Sequence, residues 1–162
     1  SKRLKTIMAE YIELGYDSVT IAKALRWAGR EKGYQLNMTQ LNKLLYIAYG
    51  TLLVRKRERL TSEHPAAWPY GPVFPRIHTH IKLSDPVTDK EFNTLNEDTK
   101  ELLRQVVDSF GDISASKLSA WSHEKGSPWD IAQSKNDKKW NQKLDDDDIY
   151  AFFYNFIKVE KW

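Results

Sequence analysis

The segment from Ala66 to Pro75, AAWPYGPVFP, constrains the fold more than any other part of the chain. Its three prolines cannot lie inside a helix, and each of them restricts the residue before it. The backbone must therefore run extended or turn here, and its aromatic side chains suit a ribbon that packs flat on a helical body. Burial statistics favour the core for Trp68 and Phe74, whereas they place Tyr70 in the core or on the surface equally well.

Length and composition exclude several classes of protein. The chain has 162 residues, a net charge of +3 and no cysteine. It is long enough for one domain with its own core, and it has no disulfide, Cys-ligated zinc or thiol nucleophile. No apolar run has the length of a membrane span, and no signal-peptide pattern is present, so we expect a cytoplasmic protein with no membrane partner. The mixed-sign charge argues against nucleic acid as a partner.

Hydrophobic periodicity predicts a mainly α-helical fold, a compact single-domain bundle of about six or seven helices, with short extended or hairpin segments near residues 60–75. The clearest helix is 37–54, whose side chains are apolar on most of its circumference, so we expect it at the centre of the domain. The other predicted helices are 19–30 after Asp17 or Ser18, 76–83 after Pro75, 97–110 after Asn96, one carrying Leu118 and Trp121 after Ser114 or Ser116, a short one from Trp129, and one after Asp145–Asp148.

No group of residues has the pattern of a catalytic or metal site, so the sequence predicts no catalytic residue, no metal and no cofactor. A hydrolase using Asp145–Asp148, or His123 with a metal, is the enzyme alternative. The acid run lacks the glycine and the later glutamate of a calcium loop, and the dipole of the following helix explains it. His78 and His80 are two residues apart, so they would lie on different faces of a helix.

A dense basic patch consists of Arg55, Lys56 and Arg57, continued by Arg59. Cations are favourable at the C-terminal end of a helix, and this explains their position after helix 37–54. A helix-turn-helix regulator that binds DNA is the alternative, but about eight residues separate the helices 19–30 and 37–54. That separation is longer than the tight turn of this motif.

Three blocks of residues resemble one family. They read LxKLLYxAYG from Leu41, AWxYGPVxP from Ala67 and LSxxSHxxGxPW from Leu118. The combination is similar to the Panacea domain, the family of SocA-like antitoxins and phage-associated GepA-like proteins. Ser122 stands where the family commonly has threonine, and Ser127 is inserted before the final Pro-Trp pair. The motif residues, which mark either the fold or a partner surface, are Lys43, Leu44, Leu45, Tyr46, Tyr49, Trp68, Tyr70, Gly71, Pro72, Val73, His123, Pro128 and Trp129.

The resemblance implies an antitoxin of a bacterial or prophage toxin-antitoxin system that neutralises a cognate protein toxin by direct contact. The toxins of the family are diverse and include alarmone-synthetase-like translation inhibitors. Two alternatives stay open: a proteolytic adaptor that delivers the toxin to a host protease, and a DNA-binding regulator of its own operon.

Partner choice should lie at positions that the family does not fix. We expect these positions at Arg55, Lys56, Arg57 and Arg59, and in the loops 84–96 and 135–143, the second held down by Trp140. The resemblance also divides the chain. Residues 1–17 would be an N-terminal extension, with Met8 as a native start and Ser1 to Ile7 added or a leader; residues 18–158 would form the Panacea-like domain, and residues 159–162 a short tail.

Overall fold

The computed structural model describes residues 10–135, 137 and 139–158. These residues form eight helices and five short strands. The helices are α1 (Ser18–Glu31), α2 (Met38–Lys56), α3 (Pro75–His80), α4 (Lys90–Asn93), α5 (Glu97–Phe110), α6 (Ala115–Ser122), α7 (Pro128–Lys135) and α8 (Asp146–Lys158). The strands are β1 (Ile12–Tyr16), β2 (Glu58–Thr61), β3 (Ala66–Trp68), β4 (Gly71–Val73) and β5 (Gln142–Lys143).

The prediction of a mainly α-helical fold is confirmed, but the protein is not purely a helical bundle, because two small sheets accompany the helices. Helix α4 is not among the predicted helices, because it lies in the polar stretch 84–96, which is expected to be a loop. Helix α3 ends at His80 rather than at Leu83, because Ile81 is already in an extended conformation. No described helix has the combination of length and hydrophobicity needed to cross a membrane.

Helix α2 is the centre of the domain, as its apolar pattern predicts. Asn37 caps it, and a capping box joins Asn37 to Gln40 in both directions. Every residue from Leu41 to Leu53 is buried. The helix packs against α1, α5, α6, α8, β2 and β4, so half of the other described elements contact it.

Several other helices also begin at a capping side chain. The side chains of Asp17, Asn96 and Ser114 each accept a hydrogen bond from a backbone N–H in the first turn of the following helix. Ser127 does the same for α7, since its Oγ accepts from Asp130 N at 3.2 Å. The inserted serine of the third family block therefore begins α7.

One sheet pairs β1 with β2 in parallel, with Ile12 opposite Glu58 and Tyr16 opposite Thr61. Strand β1 lies in the stretch that the sequence analysis assigns to an N-terminal extension, so part of that stretch packs on the domain. The expectations about Ser1 to Ile7, Met8 and residues 159–162 fall outside the described residues.

The second sheet has the order β4-β3-β5 and is antiparallel. Strands β3 and β4 form a hairpin in which Trp68 is opposite Gly71, so Pro69 and Tyr70 make a two-residue turn. Pro72 lies on the edge strand, where its missing N–H costs no interstrand hydrogen bond. The hairpin predicted near residues 60–75 is therefore present, and β5 from the loop 135–143 extends it.

Candidate functional site

The turn of the β3-β4 hairpin presents aromatic side chains to solvent. Tyr70 is 77% exposed, the highest value among the large hydrophobic side chains of the described residues, and Trp140 is 50% exposed. Trp68 and Trp129 are half-buried beside them. We call Trp68, Pro69, Tyr70, Trp129 and Trp140 the hairpin surface. Tyr70 is thus a surface residue, Phe74 is fully buried, and Trp68 lies between these two cases.

Hydrogen bonds fix two rings of the hairpin surface, those of Trp68 and Trp129. Trp129 Nε1 donates to the Trp68 carbonyl at 2.7 Å, and Trp68 Nε1 donates to Asn141 Oδ1 at 3.0 Å. The rings of Trp129 and Trp140 are 6.1 Å apart. Because Trp68 and Trp129 are held by specific partners, these two side chains would lose little conformational freedom when a protein docks here.

His78 and His123 flank the hairpin surface. The ring of His78 lies 4.8 Å from that of Trp68, and the ring of His123 lies 5.3 Å from that of Trp129. Burial, with the nearby Lys43 ammonium, lowers the pKa of His78. His80 instead contacts the Arg76 carbonyl in its own helix. The described residues provide no group of three or more His, Cys, Asp or Glu side chains that could hold a metal ion.

Gly71 is required at the base of the turn for two reasons. Its φ is +117°, a backbone conformation that other residues rarely adopt. A Cβ atom at this position would also lie 2.4 Å from Ser122 Oγ and 2.9 Å from Lys43 Cε. The first and third family blocks therefore meet directly beneath the second.

Lys43 supports the hairpin from below. Its side chain is only 1% exposed, and its Nζ donates to the Pro72 carbonyl at 3.0 Å. No carboxylate of the described residues lies within ion-pair distance of it. Burial lowers the pKa of Lys43 to about 8. A buried ammonium without a counter-ion is costly, so its presence points to a specific task at this turn.

Helix α6 holds the other side of the turn. Ser119 Oγ donates to the Tyr70 carbonyl, and Ser122 Oγ donates to the Ser119 carbonyl at 2.8 Å. Ser122 is fully buried, and its Oγ lies next to Gly71. A serine or threonine hydroxyl suits this position because it satisfies a helix carbonyl in a buried contact.

Sequence reasoning missed Asn42, which is 1% exposed. Its Oδ1 accepts from Phe74 N at 2.8 Å, and its Nδ2 lies 2.9 Å from His78 Nε2. Asn42 therefore ties the end of β4 to α2. The available signal is a polar residue in the buried stripe of a helix, because such a residue needs partners from another element.

The remaining motif residues of the family belong to the core. Leu44, Leu45, Tyr46 and Tyr49 are fully buried on α2. Val73 and Pro128 are buried too, at the hairpin and at the start of α7. Burial raises the pKa of Tyr46, whose hydroxyl has no hydrogen-bond partner among the described residues. These side chains carry the fold rather than an accessible surface.

The basic turn after α2 is occupied by contacts within the chain. Arg55 Nη1 donates to Gln105 at 2.9 Å, and the Lys56 ammonium pairs with Asp98 at 2.8 Å. Arg57 caps α2 in the left-handed conformation, and its guanidinium lies 4.9 Å from the centre of the Tyr150 ring.

Arg59 and the acid run form one structural cluster. Arg59 Nε donates to Asp146 Oδ2 at 2.9 Å, and Tyr49 donates to Asp146 Oδ1 at 2.6 Å. Asp145 Oδ1 accepts from the backbone N–H of Asp147 and Asp148 at the start of α8. The acid run therefore begins a helix and anchors it to α2, in line with the dipole explanation.

Comparison with known proteins identifies the family. The family model described as "Antitoxin SocA-like, Panacea domain" matches residues 41–130, which include α2, the hairpin, α6 and the start of α7. The chain belongs to the SocA-like Panacea-domain family. The resemblance drawn from the three sequence blocks is therefore confirmed.

A curated relative agrees with this assignment. "Antitoxin SocA" of Caulobacter vibrioides (strain NA1000 / CB15N) is 32% identical to this Panacea-domain chain over 106 residues. The match covers 56% of each protein, so the chain spans little more than half the length of that relative. No solved structure matches the chain significantly.

Proposed function

We propose that this Panacea-domain protein is an antitoxin that neutralises a cognate protein toxin by binding it directly through the hairpin surface. The observation that carries the proposal is the exposed Tyr70, held on a turn that Lys43, Ser119 and Trp129 each support by a hydrogen bond. Exposed tyrosine and tryptophan side chains on a rigid support are typical of the residues that dominate binding energies at protein interfaces.

The family blocks support the same proposal. All three converge on this hairpin: the buried polar side chains of Lys43 and Asn42 hold its backbone by hydrogen bonds, and the buried Ser122 lies against Gly71. Buried polar groups are retained where they fix one specific geometry. We propose a binding role in the cytoplasm, without catalysis or cofactor, and an alarmone-synthetase-like translation inhibitor is a candidate toxin class.

A partner surface formed by the cationic turn at Arg55, Lys56, Arg57 and Arg59 is a prediction that nothing in the structure tests. Each of these four cations contacts another part of the chain, so a partner would compete with existing interactions. We therefore place the principal contact at the hairpin surface.

Co-expression with the neighbouring reading frame of the native locus tests this function. The account predicts that the neighbour stops growth alone, is tolerated with this chain, and co-purifies with it. Protection that disappears in a host lacking its proteases would favour the adaptor alternative, since direct inhibition needs no protease. Protection without any complex, together with a salt-sensitive shift of operator DNA, would favour the regulator and contradict the proposal.

A further inference from the structure

A groove runs between the C-terminal end of α1 and the segment 83–87 that follows α3. Its volume is about 560 Å³, and Tyr34, Leu36 and Val87 supply apolar walls. A smaller cavity of about 280 Å³ shares Arg26 and residues 85–87 with it as lining. We call these two neighbouring cavities the α1 groove. Residues 84–87 belong to one of the loops in which the sequence predicts partner choice.

Two arginines of α1 hold the segment over the helix. Arg26 Nη2 donates to the Leu83 carbonyl at 3.0 Å, and Arg30 Nη1 donates to the Val87 carbonyl at 3.3 Å. Both arginines line the larger cavity. A guanidinium has five N–H donors, so these contacts leave donors on each arginine for a ligand. The groove therefore has a fixed outer wall and a cationic floor.

The charges of the α1 groove are not balanced by pairing. Lys23, Arg26 and Arg30 lie on one face of α1, at helical spacing. None of the three forms an ion pair with a carboxylate of the described residues, although Asp85 and Glu91 line the cavities.

Many cations elsewhere do find such a partner. Lys32, the residue directly after α1, pairs with Asp108 at 2.9 Å, and Arg76 pairs with Asp17 at 3.1 Å. The α1 groove is thus a place where three cations converge with no described carboxylate within ion-pair distance of them, although Asp85 and Glu91 also line the cavities. Guanidinium groups at such a place recognise carboxylates with good geometry.

We propose that the α1 groove binds an acidic segment of the toxin, with its carboxylates toward Arg26 and Arg30 and its apolar side chains toward Tyr34 and Leu36. This site is distinct from the hairpin surface and gives the partner a second point of attachment. Only the source of the segment rests on the proposed function, because the recognition chemistry belongs to the groove itself.

Fluorescence anisotropy with a labelled peptide that alternates leucine with pairs of glutamate tests the groove without the toxin. We expect binding that weakens as the salt rises from low ionic strength to about 0.15 M, and no binding of the same peptide with lysine in place of glutamate. In Lys23→Glu/Arg30→Glu the affinity should fall about tenfold or more, because each reversal replaces an attraction by a repulsion.

Lys125→Glu is the control, because Lys125 is exposed in the turn before α7 and its reversal makes the same charge change as one of the two groove reversals. Lys23→Gln/Arg30→Gln provides a second variant that removes the charges without repulsion, and thermal unfolding verifies that each variant is folded. A peptide that does not bind, or that binds the Lys23/Arg30 variants as well as the parent, would overturn the groove proposal. Equal loss in Lys125→Glu would overturn it too, since the effect would then be general charge.

The same variants separate this inference from the antitoxin function. If the chain binds the acidic peptide but not the neighbouring gene product, the recognition chemistry of the groove is supported and the proposed antitoxin function is contradicted. If Lys23→Glu/Arg30→Glu binds the gene product as tightly as the parent does, the proposed function is supported and the groove is contradicted as a toxin contact.

Discussion

Replacing Lys43 by methionine tests whether the chain holds an uncompensated charge under the hairpin. Burial lowers the pKa of Lys43 from 10.5 to about 8. At about 1.4 kcal/mol for each unit of pKa, the buried ammonium costs about 3 kcal/mol at neutral pH. Losing the hydrogen bond to the Pro72 carbonyl costs about 1–3 kcal/mol. We therefore expect Lys43→Met to be as stable as the parent at pH 7, or more stable.

The pH dependence gives the sharper result. The folded-state pKa of Lys43 is lower than that of the unfolded chain, so between about pH 8 and about pH 10.5 the unfolded chain binds more protons. The free energy of unfolding contributed by Lys43 therefore rises with pH across this window, by about 3 kcal/mol in total. Below about pH 8 both states are charged, and the contribution is constant.

Urea unfolding of the parent and of Lys43→Met, followed by tryptophan fluorescence at several pH values between about 7 and about 10, measures this difference. Subtracting the two curves removes the tyrosines, which titrate in both proteins. Lys125→Met, at an exposed position, serves as the control and should differ from the parent by a constant amount. The reasoning would be refuted if the difference in free energy of unfolding between the parent and Lys43→Met did not change with pH. It would also be refuted if Lys43→Met were less stable than the parent by more than about 3 kcal/mol at pH 7.

Two further predictions concern stability. Gly71→Ala should lower the free energy of unfolding by about 2–4 kcal/mol, since the new Cβ atom would clash with Ser122 in addition to the backbone strain. Gly126 also has a positive φ, but a Cβ atom there would meet open space, so Gly126→Ala should cost only about 1–2 kcal/mol. Equal losses in the two denaturation curves would contradict the packing account. Asp146→Ala should cost about 2–4 kcal/mol because it removes the buried partner of Tyr49, while Asp98→Ala at a fully exposed ion pair should leave the stability almost unchanged. A loss in Asp98→Ala as large as in Asp146→Ala would show that burial of the pair does not matter.

The sequence predicts elements whose signals are local. The apolar stripe of α2, the prolines of the hairpin and the capping residues Asp17, Asn96 and Ser114 each act within a few positions, so these elements begin and end close to where they are predicted. Helix α4 is missed because only one of its four residues, Phe92, is buried. Four residues are too few to show a hydrophobic period.

Contacts between distant parts of the chain explain what the sequence does not predict. The partner of Arg59, Asp146, lies 87 residues further along the chain, and β1 pairs with β2 across two intervening helices. Neither relation leaves a periodic pattern. The basic turn and the acid run look like separate surface features in sequence, yet the fold joins them in one cluster.

Lys43 shows the same limit at the candidate site. A lysine within an apolar helix is visible in sequence, but its hydrogen bond to the Pro72 carbonyl depends on the hairpin being folded onto α2. The exposure of Tyr70 has the same origin, because Gly71 is buried and Trp68 is half-buried on the two sides of the turn, while Pro69 and Tyr70 themselves are exposed.

The affinity of the purified chain for the neighbouring gene product that we propose as its toxin, compared between Tyr70→Ala and Tyr154→Ala, tests the central claim most directly. Both tyrosines are exposed, at 77% and 48%, but Tyr154 lies on α8, outside the hairpin surface. The account predicts that Tyr70→Ala weakens binding by about 30-fold or more, as for an interface anchor worth about 2 kcal/mol, with unchanged thermal unfolding. Tyr154→Ala should bind like the parent. Full affinity in Tyr70→Ala would contradict the claim that the hairpin surface is the toxin-binding site.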